Sequence, residues 1–110
     1  MFDEKLKKLG IILPNAADPV GSYVATKIIG KLLYISGQIS INDKGELIKG
    51  KLGKDLTTED FIEQPKVING TSDFIVSVFG DAGMHTRAAV STNSLPLGVS
   101  VEVDAIFELN

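Results

Sequence analysis

The sequence contains no cysteine and a single histidine, and these two shortages exclude whole classes of site. Without cysteine there is no disulfide, no thiolate zinc site and no cysteine nucleophile. With His85 alone, a metal site would have to be built from carboxylates, and the Asp and Glu residues do not cluster at ligand spacing. We therefore expect neither a resident metal nor thiol chemistry.

Long apolar runs and an excess of positive charge are also missing. No stretch approaches the roughly 18 apolar residues of a membrane span. Residues 1–5 are charged and lack the apolar core of a secretory signal. Eleven Lys and Arg against fourteen Asp and Glu give a net charge of −3, which argues against nucleic acid as the main ligand. We expect a soluble cytoplasmic protein.

The length of 110 residues allows one small domain, residues 1–110. A domain of this size buries only a little over about 60% of the surface of its unfolded chain. Association into an oligomer would increase that fraction, so an oligomer is favoured.

Apolar periodicity divides the chain into helices and strands. Val67, Thr71, Phe74, Ile75 and Val78 share one face of a helix over residues 64–79, which Gly80 and Gly83 end. The other predicted elements are a helix over 2–9, strands over 22–29 and 32–39 joined by a type II′ turn at Gly30-Lys31, a turn at 42–45, a weak edge strand over 46–53, and strands over 86–91 and 99–109. This order predicts an α+β fold in which the helix covers one face of the sheet.

Two charged residues on the last two predicted strands are candidates for chemistry. Arg87 has small neighbours, Ala89 and Ser91, on its own face, which leaves room for a ligand carboxylate under the guanidinium. Glu102 lies on the polar face of the last strand, and it would approach Arg87 or Ala89 if these two strands pair. Alone, each residue is more often structural, as a surface Arg or as a paired strand carboxylate.

Five further residues carry polar or conformational signals. Ser36-Gly37 lies inside a strand, where glycine marks either a bulge alone or a close approach of the backbone to a ligand. Tyr23 and Asn69 are polar groups in apolar elements and are more often packed or capping residues. His85 follows a glycine-rich turn, and we expect it to be exposed because no titrating partner is near it in sequence.

Taken together, these segments resemble the RidA/YjgF family of small imine-processing proteins, in the branch often labelled endoribonuclease or chorismate-mutase-like. The set is fairly specific, although each piece is weak alone. The resemblance covers nearly the whole chain, and it rests on residues 19–23, 33–38, 67–70 and 86–90, with Leu95-Pro96 and residues 101–103.

The resemblance implies a chorismate-mutase-like mixed sheet and a homotrimer with a small carboxylate or imino acid bound in each cleft between subunits. It implies hydrolysis of 2-imino acids to 2-keto acids and ammonia without metal or cofactor. By position, Arg87 would bind the substrate carboxylate and Glu102 would position the attacking water. The remaining positions that it implies for the cleft are Tyr23, Ser36, Gly37, Asn69 and Ala89; at Ala89 the active branch usually has cysteine.

A second departure from the family is a gap. Family members carry a long helix and a central strand, some forty residues, between the stretches that match Leu56 and Phe61. The sequence leaves three functions open: a deaminase of imines or enamines, a non-catalytic trimer that binds small carboxylates, and a nuclease or translation inhibitor. The net charge of −3 and the few aromatic residues oppose the third.

Overall fold

The structure is a computed structural model that describes residues 2–50 and 64–110, and for residues 64–66 it describes the backbone. Two helices and three strands follow in the order α1 (Phe2–Lys8), β1 (Thr26–Ile29), β2 (Leu32–Ile39), α2 (Gln64–Phe79) and β3 (Glu102–Glu108). The chain divides into two compact units, Met1–Pro14 with Thr57–Asn93 and Asn15–Leu56 with Ser94–Asn110. The single domain expected over residues 1–110 stays a prediction.

Both helices belong to the first unit, and both confirm the periodicity of the sequence. The predicted helix over 64–79 has the bounds of α2, and Val78 on its apolar face is buried. Phe74, placed on the same face, is 39% exposed. The rings of Phe2 and Phe79 meet edge to face with centroids 4.8 Å apart, which joins α1 to the end of α2.

Glycines end both helices. After α1, Gly10 has φ +67°, its amide donates to the Lys7 carbonyl and the Ile11 amide donates to the Leu6 carbonyl, which is a Schellman motif. After α2, a 3₁₀ turn spans Gly80–Gly83. A β-carbon on buried Gly83 would lie 2.6 Å from the Ile75 carbonyl oxygen, so this turn packs directly against the backbone of α2.

The second unit contains an antiparallel sheet with the order β1-β2-β3. The hairpin between β1 and β2 turns at Gly30-Lys31; Gly30 has φ +60° and Lys31 does not have a positive φ, which fits the predicted type II′ turn. In β3, the predicted alternation holds from residue 103 onward. Val103, Ala105 and Phe107 are half-buried, and the residues between them are exposed.

The centre of β2 contains a β-bulge. Ile35 pairs with Ala105 and Gln38 pairs with Val103, so Ser36 and Gly37 together face the single residue between those two partners. The bulge explains why β1 begins at residue 26 and not at 22 as predicted. Beyond the Thr26–Ile35 pair, the described residues add one bond between these two segments, from the Ser36 amide to the Ala25 carbonyl.

One face of the sheet carries exposed apolar side chains. Ile29 pairs with Leu32, and Tyr34 pairs with Ile106, so these four residues share a face. All four are exposed, and Ile106 has 63% of its surface accessible. On the other face, Leu33, Ile35 and Phe107 are half-buried.

Residues 42–45 form the predicted turn, which the Asn42 side chain closes by accepting bonds from the amides of Lys44 and Glu46. The weak edge strand predicted over 46–53 is reduced, in residues 46–50, to the single bridges Ile41–Leu47 and Lys49–Val99. Its remaining residues lie outside the described chain. Val99 itself is buried.

The prediction of a strand over residues 86–91 is wrong. These residues lie in a segment without regular structure, because an alternating sequence becomes a strand only beside a partner and the described residues provide none there. For the same reason the expected pairing of the last two strands does not form, and β3 pairs with β2 instead. The described strands run only antiparallel, which corrects the expectation of a mixed sheet.

Two glycine-to-alanine changes in the first unit should act in opposite directions. Gly83→Ala should lower the free energy of unfolding by about 1–3 kcal/mol, because its methyl group collides with the backbone of α2. Gly70→Ala, within α2 and with no atom within 4 Å of the added carbon, should raise it by up to about 1 kcal/mol. Urea unfolding of both variants measures the difference; equal effects would contradict the packing of the 3₁₀ turn.

Candidate functional site

The guanidinium of Arg87, the only arginine in the chain, is held by two side chains of α2. Nη2 donates to Oδ1 of Asn69 at 2.6 Å, and Nη1 donates to Oγ of Ser72 at 3.0 Å. Asn69 and Ser72 are three residues apart, so they lie on the same side of the helix. Two bonds to different nitrogens fix the plane of the guanidinium, which is the condition for binding a planar anion such as a carboxylate.

His85 extends this group of residues. Its Nδ1 lies 2.6 Å from the Gly83 carbonyl oxygen, and its Nε2 lies 3.0 Å from Oγ of Ser72. A carbonyl oxygen can only accept, so Nδ1 carries a proton; when the ring is neutral, Nε2 accepts a hydrogen bond from the Ser72 hydroxyl. His85 is exposed, as expected, but its side-chain partner is thirteen residues away in sequence.

The second group of candidates lies in the sheet unit, at the bulge in β2. The carboxylate of Glu102 lies over Gly37, and a β-carbon at Gly37 would overlap one carboxylate oxygen and lie 2.8 Å from Cδ. Glu102 is half-buried, and no hydrogen bond joins its carboxylate to the described residues. Gln38 fixes the bulge by donating from Nε2 to the Ser36 carbonyl oxygen at 3.0 Å. Gly37 therefore provides the space that the Glu102 carboxylate occupies.

The structure brings the predicted site residues together as two pairs, Arg87 with Asn69 and Glu102 with the Ser36-Gly37 bulge. Tyr23 is half exposed, and its ring packs on Gly21 in the segment that precedes β1. Ala89 is half-buried in the segment without regular structure that follows Arg87. The functional roles of all these residues stay predictions.

Sequence reasoning missed Ser72, although it contacts both Arg87 and His85. The available signal was its position three residues after Asn69, on the same side of the predicted helix. Within the described residues, no group of three or more His, Asp and Glu side chains is placed to hold a metal ion. The longest helix of the described chain has 16 residues, and no helix there is both long and apolar enough to cross a bilayer.

Known proteins are similar to this chain over most of its length. Protein TCP17 of Trypanosoma cruzi is 36% identical, with 96% of this chain and 92% of the relative covered. A RutC family protein of Pyrococcus horikoshii is 30% identical over 87% of this chain and 94% of its own length. A candidate endoribonuclease from Shewanella oneidensis superposes with a TM-score of 0.89 at 25% identity, covering 99% of both chains. No family model matches the chain.

The lengths of these alignments bear on the gap expected near residues 56–61. The alignments with the Trypanosoma and Pyrococcus relatives run over 147 and 120 residues, whereas this chain has 110. Both relatives therefore carry residues that have no counterpart here. The expected position of the gap lies outside the described residues.

Replacing Gly37 with alanine should move the Glu102 carboxylate without unfolding the sheet. The added methyl group meets the flexible end of a side chain, so the carboxylate rotates away while the pairing of β2 with β3 persists. A crystal structure of the variant checks both points, with Gly70→Ala as a control in which the added methyl group has open space. An unchanged Glu102 conformation would contradict the close approach at the bulge.

Proposed function

This chain belongs to the RidA/YjgF family, the RutC family of its Pyrococcus relative, and from that premise we propose that it hydrolyses small 2-imino acids to 2-keto acids and ammonia. The observation that carries the proposal is the fixed guanidinium of Arg87, held by Asn69 and Ser72. Because its plane is set before a ligand arrives, a carboxylate meets an oriented fork of donors. This favours a substrate with a small planar carboxylate.

Glu102 supplies the second role in the proposal, which is to hold and deprotonate water. The carboxylate, beside a glycine and with no hydrogen bond from the described residues, is open to a water molecule. The water oxygen attacks C2 of the imine while Glu102 takes one proton and returns it to the nitrogen. Glu102 next takes the proton of the new hydroxyl group and passes it to the amine nitrogen of the carbinolamine. The C–N bond then breaks, ammonia leaves with the bonding electron pair, and the 2-keto acid remains.

No further catalytic group is required, because an imine is already electrophilic. In the cleft between subunits that the family resemblance implies, holding the substrate carboxylate beside an ordered water would convert a bimolecular reaction into one within a complex. Such proximity would be the largest contribution to the rate. The departure at Ala89, where the active branch usually has cysteine, fits this chemistry if the position acts through its backbone.

We also propose that the protein works as a homotrimer. The exposed apolar side chains on one face of the sheet, Ile29, Leu32, Tyr34 and Ile106, form a surface of the kind that association covers. Residues absent from this chain but present in its relatives would increase the need for such cover. The trimer is the assembly that the family resemblance implies.

Two other functions would use the same fold. A trimer that only binds carboxylates would need Arg87 but no water-activating group, and the open carboxylate of Glu102 favours the hydrolase over it. The other alternative is nuclease activity, because the similar Shewanella structure is that of a candidate endoribonuclease. The net charge of −3 disfavours it, because binding a phosphate backbone requires clustered positive charge.

The deciding experiment is a coupled assay in which an amino-acid oxidase generates 2-iminobutanoate and semicarbazide competes for the imine. The parent protein should speed the appearance of 2-oxobutanoate and reduce the semicarbazone. Tight binding of 2-oxobutanoate by calorimetry without any acceleration would replace the hydrolase with the binding function.

Arg87→Lys should weaken binding of 2-oxobutanoate by at least about tenfold. Lysine keeps the charge, but all its donors lie on one nitrogen. It therefore cannot bond to both Asn69 and Ser72 and also present a planar pair of donors to a carboxylate. Isothermal calorimetry measures the dissociation constant, and Lys27→Gln is the control that removes a cation from the exposed strand β1. Binding as tight as that of the parent would remove Arg87 from the site.

Glu102→Gln should leave the affinity for 2-oxobutanoate nearly unchanged and lower imine hydrolysis by roughly 10²–10⁴. The amide keeps the size of the side chain but cannot accept a proton from water. Asp104→Asn, an exposed change two residues along the same strand, is the matched control. Lost affinity with normal turnover of the bound complex would mean that Glu102 shapes the binding site and does not activate water.

A further inference from the structure

The hydroxyl of Ser72 has a different partner from the other serine described on the same helix. A serine within a helix commonly bonds back to a carbonyl three or four residues earlier, and Ser77 does so, donating to the Phe74 carbonyl oxygen at 2.7 Å. Ser72 instead bonds across to Nε2 of His85 at 3.0 Å. The direction of its hydroxyl is therefore set by an imidazole and not by the helix.

The histidine is oriented in turn by a third group. Its Nδ1–H donates to the carbonyl oxygen of Gly83, a buried residue of the 3₁₀ turn that is packed on the backbone of α2. This bond leaves Nε2 as the acceptor that faces Ser72. A hydroxyl, a base within hydrogen-bond reach and a group that orients the base together make the arrangement of an activated nucleophile.

We propose that Ser72 is a nucleophile activated by His85, and that this pair catalyses acyl transfer from small esters to water. The activity would be separate from imine hydrolysis, because it uses neither Glu102 nor a substrate carboxylate. Nη1 of Arg87, 3.0 Å from Oγ, stabilises negative charge that develops at the serine oxygen.

The reaction balances with water as the only co-reactant. Oγ of Ser72 forms a bond to the ester carbonyl carbon while its proton passes to Nε2 of His85. The C–O bond to the alcohol breaks, and the imidazolium returns the proton to the departing alkoxide. Water then attacks the acyl-serine with His85 taking its proton, and the carboxylic acid leaves as Oγ recovers its hydrogen.

The test is covalent labelling by a fluorophosphonate, which reacts with serines that a neighbouring base has activated. The parent protein should take up one phosphonyl group per chain, with loss of fluoride, and tandem mass spectrometry should locate it on Ser72. Ser72→Ala should abolish the label. Ser77→Ala, which removes a hydroxyl that has no base beside it, should leave the label unchanged.

His85→Gln separates activation from simple accessibility. Glutamine can still hydrogen-bond to Ser72 but is not a base, so the labelling rate should fall by about 10²-fold or more. No label on the parent protein, a label on another serine, or an equal rate in His85→Gln would each overturn the proposal. These outcomes do not depend on the imine assay, so the two activities can fail independently.

Discussion

The pairing of β2 with β3 is the interaction on which the sheet depends. It joins Leu32–Ile39 to Glu102–Glu108, two segments more than sixty residues apart in sequence, and it gives β2 a partner on its second edge. A two-stranded hairpin alone is only marginally stable in water. With β3 in place, the sheet has three strands, and the side chain of Glu102 reaches the bulge in β2.

The sequence predicted best those helices and strands whose bounds depend only on residues within the same segment. The bounds of α2 and β2 agree with the structure because apolar spacing and glycine or proline at the ends determine them within the segment. The segment at 86–91 has an equally good strand pattern and forms no strand. Alternation describes which residues would share a face and carries no information about whether another strand lies beside them.

In the candidate site too, local features could be predicted from the sequence and contacts between distant segments could not. Arg87, Glu102, Asn69 and the Ser36-Gly37 step could be selected from residue type and local pattern. Their assignment to one cleft followed from the family resemblance. The contacts that hold Arg87 could not be predicted, because they depend on how residues 84–87 run past α2 after the 3₁₀ turn. Ser72 shows this most clearly, since only its spacing of three residues from Asn69 distinguishes it in the sequence from Ser77 on the same helix.

The bulge at Ser36-Gly37 also has a consequence for how this chain tolerates insertions and deletions. Its extra residue inverts the alternation of β2, so Gln38 shares a face with Leu33 and Ile35, whose positions have the opposite parity. Deleting one residue here would restore an uninterrupted ladder and raise the number of backbone hydrogen bonds, but it would take away the space above Gly37. In this chain the extra residue therefore replaces backbone pairing with room beside a carboxylate.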